Sequence, residues 1–143
     1  MQDKPEEKTM MVFISQDDMD DQFIFRTAIS EVDPAIKTVF FYTSQGLIQH
    51  LLRIGIEQGL PKPDFIIGDM KEPFFELKDI REIRTFKQFE NIPLYIFSEG
   101  YKDVDQKTIF ELGATQLFHK PNSLQGLKEI LGEIISDTKK SLS

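Results

Sequence analysis

Five short apolar runs alternate along this chain with five longer stretches in which apolar residues return every three or four positions. The short runs at 10–14, 38–42, 65–67, 92–97 and 115–119 predict strands. Ile24, Phe25, Ala28 and Ile29 mark the stripe of a helix over about 20–30. Leu47, Ile48, Leu51 and Leu52 mark a second, capped by Thr43 or Ser44 and frayed by Gly55 and Gly59. Leu77, Ile80 and Ile83 predict a third over about 75–86. A fourth over about 104–112 closes at Gly113, a natural C′ glycine. Asn122 with Gln125 predicts a capping box for the fifth, whose stripe is Leu124, Leu127, Leu131 and Ile134. Strands alternating with helices, joined by right-handed crossovers, predict an α/β fold: a doubly wound five-stranded parallel sheet, (βα)5. The expected layout is a disordered lead-in over 1–8, one domain over 9–136 and a polar, fraying tail over 137–143.

The third run decides where chemistry is expected. Phe65-Ile66-Ile67 is bounded by Leu60-Pro61-Lys62-Pro63 and by Met70-Lys71-Glu72-Pro73, so it reads as a strand buried on both faces. Asp69 stands where it runs out. Asp17, Ser98 and Lys120 stand at the ends of the first, fourth and fifth runs. In an open α/β sheet these carboxyl ends share one edge, where ligands bind. Two carboxylates, a hydroxyl and an ammonium are what phosphoryl transfer onto an aspartate requires, because positioning and charge neutralisation supply most of the catalysis. Asp18, Asp20 and Asp21 read more simply as acids favoured at a helix N-terminus. His50 has no ligand partner at useful spacing and His119 alternates with strand residues, so both read as packed or solvated, and Phe74-Phe75 reads as core or loop packing.

Composition narrows the classes. A chain of 143 residues suits one domain with a real core, and thirteen Phe with no Trp point to a ring-filled interior. Absence of Cys removes disulfides, thiol nucleophiles and zinc–thiolate sites. A net charge of −7 argues against nucleic acid as a partner. No run approaches the ~20 apolar residues of a membrane helix. Residues 1–8 are too polar for a signal peptide, so a cytoplasmic location is expected.

From about residue 9 to 136 the chain resembles the receiver domain of two-component response regulators. Residues 63–73, with proline four positions beyond Asp69, resemble the phosphoacceptor segment, and residues 113–121 resemble the Gly-Ala…Lys-Pro segment. The resemblance implies that Asp69 is the phosphoacceptor, Ser98 the switch hydroxyl and Lys120 the phosphate-binding lysine. It implies Mg²⁺ held by Asp17, Asp69 and the Lys71 carbonyl, with Gln16 reached through water, and a cis Lys120–Pro121 bond. The chain departs from the pattern in four places. Gln16 replaces the first of two acids, Glu99 follows Ser98, Leu117 takes a position usually aromatic, and the segment after Pro73 is about one residue short with no Asp/Asn-Gly turn. Mg²⁺ binding is therefore expected to be weak.

The implied function is a stand-alone receiver. A histidine kinase or phosphotransfer protein phosphorylates it, and it signals to a downstream protein, with a homodimer also compatible. Its enzymatic activity would be at most self-catalysed phosphoryl transfer and autodephosphorylation. The alternative is a degenerate receiver that binds a partner without phosphorylation. A flavin or nucleotide protein of similar topology is disfavoured, because the acidic loop after the first strand lacks glycines that cradle phosphate.

Overall fold

The computed structural model describes residues 9–100 and 106–142. Its strands are β1 (Met11–Ser15), β2 (Lys37–Phe41), β3 (Phe65–Met70), β4 (Leu94–Ser98) and β5 (Gln116–His119). Its helices are α1 (Met19–Val32), α2 (Ser44–Ile56), α3 (Leu77–Thr85), α4 (Gln106–Leu112) and α5 (Leu124–Leu142), with a 3₁₀ turn at Lys87–Phe89. All strand pairs are parallel, in the order β2-β1-β3-β4-β5. The doubly wound (βα)5 architecture expected from the sequence is therefore the observed one.

Alternation along the strands sends side chains to two cores. Phe13, Ile66, Leu94 and Ile96 face one layer with Leu47, Leu51, Ile80, Ile83 and Ile109 of α2, α3 and α4. Val12, Ile14, Phe65, Ile67 and Phe97 face the other, with Phe25, Ile29, Leu127, Leu131 and Ile134 of α1 and α5. Burial on both faces explains why β1, β3 and β4 are apolar without alternation. Phe13, Phe25, Phe65, Phe75, Phe89 and Phe97 are the largest fully buried rings. The strand order reverses between β1 and β3, and the crevice outside their carboxyl ends is where the candidate site lies.

Several local expectations shift. Helix α3 begins at Leu77 rather than near Phe75, because Phe75 pairs with Lys71 across a tight turn and its ring fills the core under Gly68. Asp79 accepts the Glu76 N–H at 2.7 Å and closes the first turn of α3. Thr43, not Ser44, caps α2, accepting the Gly46 N–H at 3.1 Å. Ser123 rather than Asn122 caps α5: its Oγ accepts the Gly126 N–H at 3.0 Å, so Gln125 is not at N3. Among the described residues the cis bond is Glu72–Pro73, and Lys120–Pro121 is trans. Sequence does not choose between them, since the two forms of an X–Pro bond differ by only about 0.5–1 kcal/mol and tertiary context decides.

The tail does not fray at Ser136. Thr138 is buried one turn beyond Ile134 and extends the stripe, and Lys139 Nζ reaches Asp33 Oδ2 at 2.7 Å, so α5 continues to Leu142. Ile24, expected in the α1 stripe, is half-exposed. The lead-in over 1–8 and the start expected for α4 near Val104 lie outside the described residues.

Arg84 locks α3 to β4 and to the α4–β5 turn. Its guanidinium donates to the carbonyls of Gly113 (2.8 Å), Phe89 (2.8 Å) and Ile92 (2.6 Å). Gly113 has φ of +120°, and a Cβ there would stand 2.6 Å from Arg84 Cγ, so glycine is required twice over. Three partly buried carbonyls would lose a charged donor in Arg84→Ala. Urea unfolding should show about 2–3 kcal/mol of lost stability, and Arg84→Lys should recover only a minor part because one ammonium cannot span the three acceptors.

Candidate functional site

The site is built at the carboxyl edge of β1, β3, β4 and β5. β3 carries Asp69 to the mouth of the sheet, where it is only 5% exposed. Gln16 follows β1 and is buried, its N–H tied to the Phe41 carbonyl at 2.9 Å. Its side chain is fixed at both ends: Nε2 donates to Asp69 Oδ2, and Oε1 accepts the Asp18 N–H at 3.0 Å. Asp18 caps α1, accepting the Asp21 N–H at 2.9 Å, as expected of an acid at a helix start. Ser98 ends β4, is buried, and donates to the Gly100 carbonyl at 3.1 Å. The backbone N–H of Lys120 donates to the Ser98 carbonyl at 2.9 Å, which sets the lysine beside β4.

Lys120 Nζ lies 2.7 Å from Asp69 Oδ2 and 2.6 Å from Asp21 Oδ2, with Glu99 Oε1 at 3.8 Å. Asp69, Ser98 and Lys120 are thus gathered, and Gln16 joins them. Asp21 is the residue that sequence reasoning missed: taken as helix decoration, it is the second partner of the site lysine. The available signal was its place in the first turn of α1, the helix that starts just after the end of β1.

Burial pushes the Asp69 carboxyl above its ordinary range and outweighs the hydrogen bonds from Lys120 and Gln16, while the nearby Asp21 charge adds to the rise. At Lys120 burial acts to lower the ammonium's pKa, but the bonds to Asp21 and Asp69 overcome it and the net shift is upward. The two shifts pull opposite ways for an Asp69–Lys120 ion pair. Geometry favours the ionised pair, since one ammonium within 2.7 Å of two carboxylates is held firmly protonated.

The expected metal donors fare differently. Lys71 Nζ pairs with Asp17 Oδ2 at 3.4 Å. The Lys71 carbonyl accepts N–H groups from Phe74 (2.8 Å) and Phe75 (2.9 Å), which engages both of its lone pairs. The shortened turn after Asp69 causes this, by folding Phe75 back onto Lys71. Among the described residues no three His, Cys, Asp or Glu groups gather as a metal-binding set. As they stand, these residues do not fit a divalent cation.

Other singled-out residues have plain roles. His50 packs its ring on Phe13 and Phe41, and His119 is exposed at the end of β5. Phe75 is core, and Phe74 meets Tyr42 edge-on at 5.8 Å between centroids. Leu117 is half-buried against the core on the α2–α4 side.

No family model matches the chain, and no curated protein matches it in sequence. Solved structures do. The phosphorylated cyanobacterial phytochrome response regulator RcpA is 18% identical and superposes with a TM-score of 0.77, over 89% of this chain and 91% of that one. This chain has the response-regulator receiver fold. The Mn²⁺-bound response regulator Rcp1 shares that fold at 16% identity and a TM-score of 0.74, covering 89% of this chain and 92% of its own. The chemotaxis response regulator CheY4 of Vibrio cholerae does so at 14% identity and 0.72, covering 89% and 99%. Receivers of this architecture bring the ends of β1, β3, β4 and β5 to one edge, the edge that carries Asp69 and Lys120 here. Among the described residues, no helix is long and apolar enough to cross a membrane.

Proposed function

We propose that this chain is a receiver that accepts a phosphoryl group on Asp69 from a histidine kinase or phosphotransfer protein and signals by protein–protein contact in the cytoplasm. The observation that carries the reading is Lys120 Nζ at 2.7 Å from a carboxylate buried at the end of the third strand. A carboxylate oxygen of Asp69 attacks phosphorus, the bond from phosphorus to the donor nitrogen breaks, and the donor imidazole keeps that electron pair. Lys120 is placed to follow the added negative charge onto the phosphoryl oxygens, and Asp21 positions it. The Ser98 hydroxyl, on the adjacent strand, exchanges its bond to the Gly100 carbonyl for one to a phosphoryl oxygen. Mg²⁺ is what the resemblance implies, but most of its expected donor oxygens are engaged, so no step is routed through it.

A phosphodonor must dock where Asp69 is reached. Phe23 (66% exposed) on α1 stands beside Lys120, across a groove from Leu124 of α5. Apolar side chains left open on both sides of the site support helix docking there.

The Gln16 bond to Asp69 and the tied Lys71 carbonyl favour a second reading, a receiver that binds its partner without being phosphorylated. Intact-mass spectrometry after incubation with acetyl phosphate decides between them. The proposed function expects one added phosphoryl group and its loss in Asp69→Asn. An unmodified mass both with Mg²⁺ and with EDTA would hand the function to the second reading.

A further inference from the structure

Most of the oxygens that the receiver pattern would offer to a divalent cation are already engaged in this molecule. Gln16 spends its carbonyl oxygen on the Asp18 N–H and its amide on Asp69. Asp69 Oδ2 also takes the Lys120 ammonium, and the Lys71 carbonyl takes two backbone N–H groups. That leaves Asp17, whose side chain is 9% exposed and must be neutralised by something. A desolvated carboxylate without a counter-charge is costly.

Lys71 supplies the charge. Its side chain is 58% exposed and reaches over Asp17 from solvent, with Nζ at 3.4 Å from Oδ2. The ammonium also lies 5.9 Å from the centroid of the Phe74 ring, which meets the Tyr42 ring edge-on. A cation over an aromatic face is attracted to the ring's negative quadrupole, so Phe74 holds the ammonium near Asp17. One residue therefore does two things: its carbonyl is tied into the turn, and its ammonium sits on Asp17.

We propose that the Lys71 ammonium is the resident cation of Asp17 and that it excludes divalent cations from the mouth of the sheet. A divalent ion approaching Asp17 must displace one ammonium and then face a second, Lys120, on Asp69. The missing carboxylate at Gln16 is only half of the cause. Restoring an acid there leaves Lys71 in place, so both positions control the metal. The inference takes from the proposed function only the location of the site, and it holds whether or not Asp69 is ever phosphorylated.

The test is a Mn²⁺ titration of the full chain without any phosphoryl donor, read by the electron paramagnetic resonance signal of the free ion. Wild type and Lys71→Arg should bind feebly. Lys71→Ala keeps the carbonyl and loses the charge, and should bind about tenfold more tightly. Gln16→Asp alone should gain less than Gln16→Asp combined with Lys71→Ala. Thermal melting in EDTA, with Lys71→Gln as a second neutral variant, shows that each protein is folded. Equal affinity of wild type and both neutral variants overturns the proposal, as does tight binding by wild type. Because no phosphoryl group is offered, failure here leaves the acetyl phosphate result to be judged separately.

Discussion

Lys120→Met should cost this protein about 3 kcal/mol at neutral pH, as breaking one side of a buried ion pair generally does. The ammonium bonds Asp69 and Asp21 at 2.7 and 2.6 Å, and Asp69 is nearly enclosed. Removing it leaves a desolvated carboxylate whose remaining side-chain partner is the Gln16 amide. The pH dependence has a definite sign. Burial already raises the Asp69 pKa in the folded state above the ordinary 3.8, and losing Lys120 raises it further. A group with a raised folded pKa is fully stabilising below its unfolded pKa and loses that contribution as pH rises through the folded value. The deficit of Lys120→Met should therefore be small near the ordinary carboxylate pKa and grow toward neutrality. Urea unfolding at several pH values measures it. The double variant Lys120→Met, Asp69→Asn should recover most of the loss at neutral pH, since no buried charge is then left unpaired. A deficit independent of pH would mean that Lys120 contributes by packing alone.

The second large effect is expected one residue before Asp69. A Cβ on Gly68 would stand 2.6, 2.8 and 2.9 Å from three atoms of the Phe75 ring. That ring is 0% exposed, so it has no solvent to retreat into. Gly68→Ala should cost about 2–3 kcal/mol, the usual size of overpacking in a close-packed core. Because Phe75 also bonds Lys71 through the backbone, its displacement should disturb the turn that ties the Lys71 carbonyl. Phe75→Leu in the same chain should return part of the stability, making the pair non-additive in a double-mutant cycle. Additive losses would show that the ring is not what Gly68 accommodates.

Much of the fold was legible in order along the chain. Phe65-Ile66-Ile67 between prolines announced a strand covered on both faces, and Gly113 announced the end of α4. The strand-end positions of Asp69, Ser98 and Lys120 followed from that alternation alone. Element ends were less legible where a side chain had two uses. Phe75 stands where the third helical stretch is expected to begin, yet the space under Gly68 claims it and delays α3 to Leu77. Polar residues after Ser136 read as a loose tail, while Thr138 packs inward and Lys139 reaches Asp33.

By itself the sequence determined the doubly wound sheet and the edge where a carboxylate and a lysine meet, because the period of each element and the alternation of strands with helices follow from local patterns of burial. The charge arrangement within that edge was decided by tertiary structure. Asp21 and Lys120 are 99 positions apart and Asp17 and Lys71 are 54 apart, yet each pair makes contact. Whether a carboxylate faces an ammonium, an amide or a metal ion depends on which side chains the packed elements bring within a few ångströms. No local pattern carries that information: a helix-start aspartate reads the same whether it faces water or a lysine from the far end of the chain.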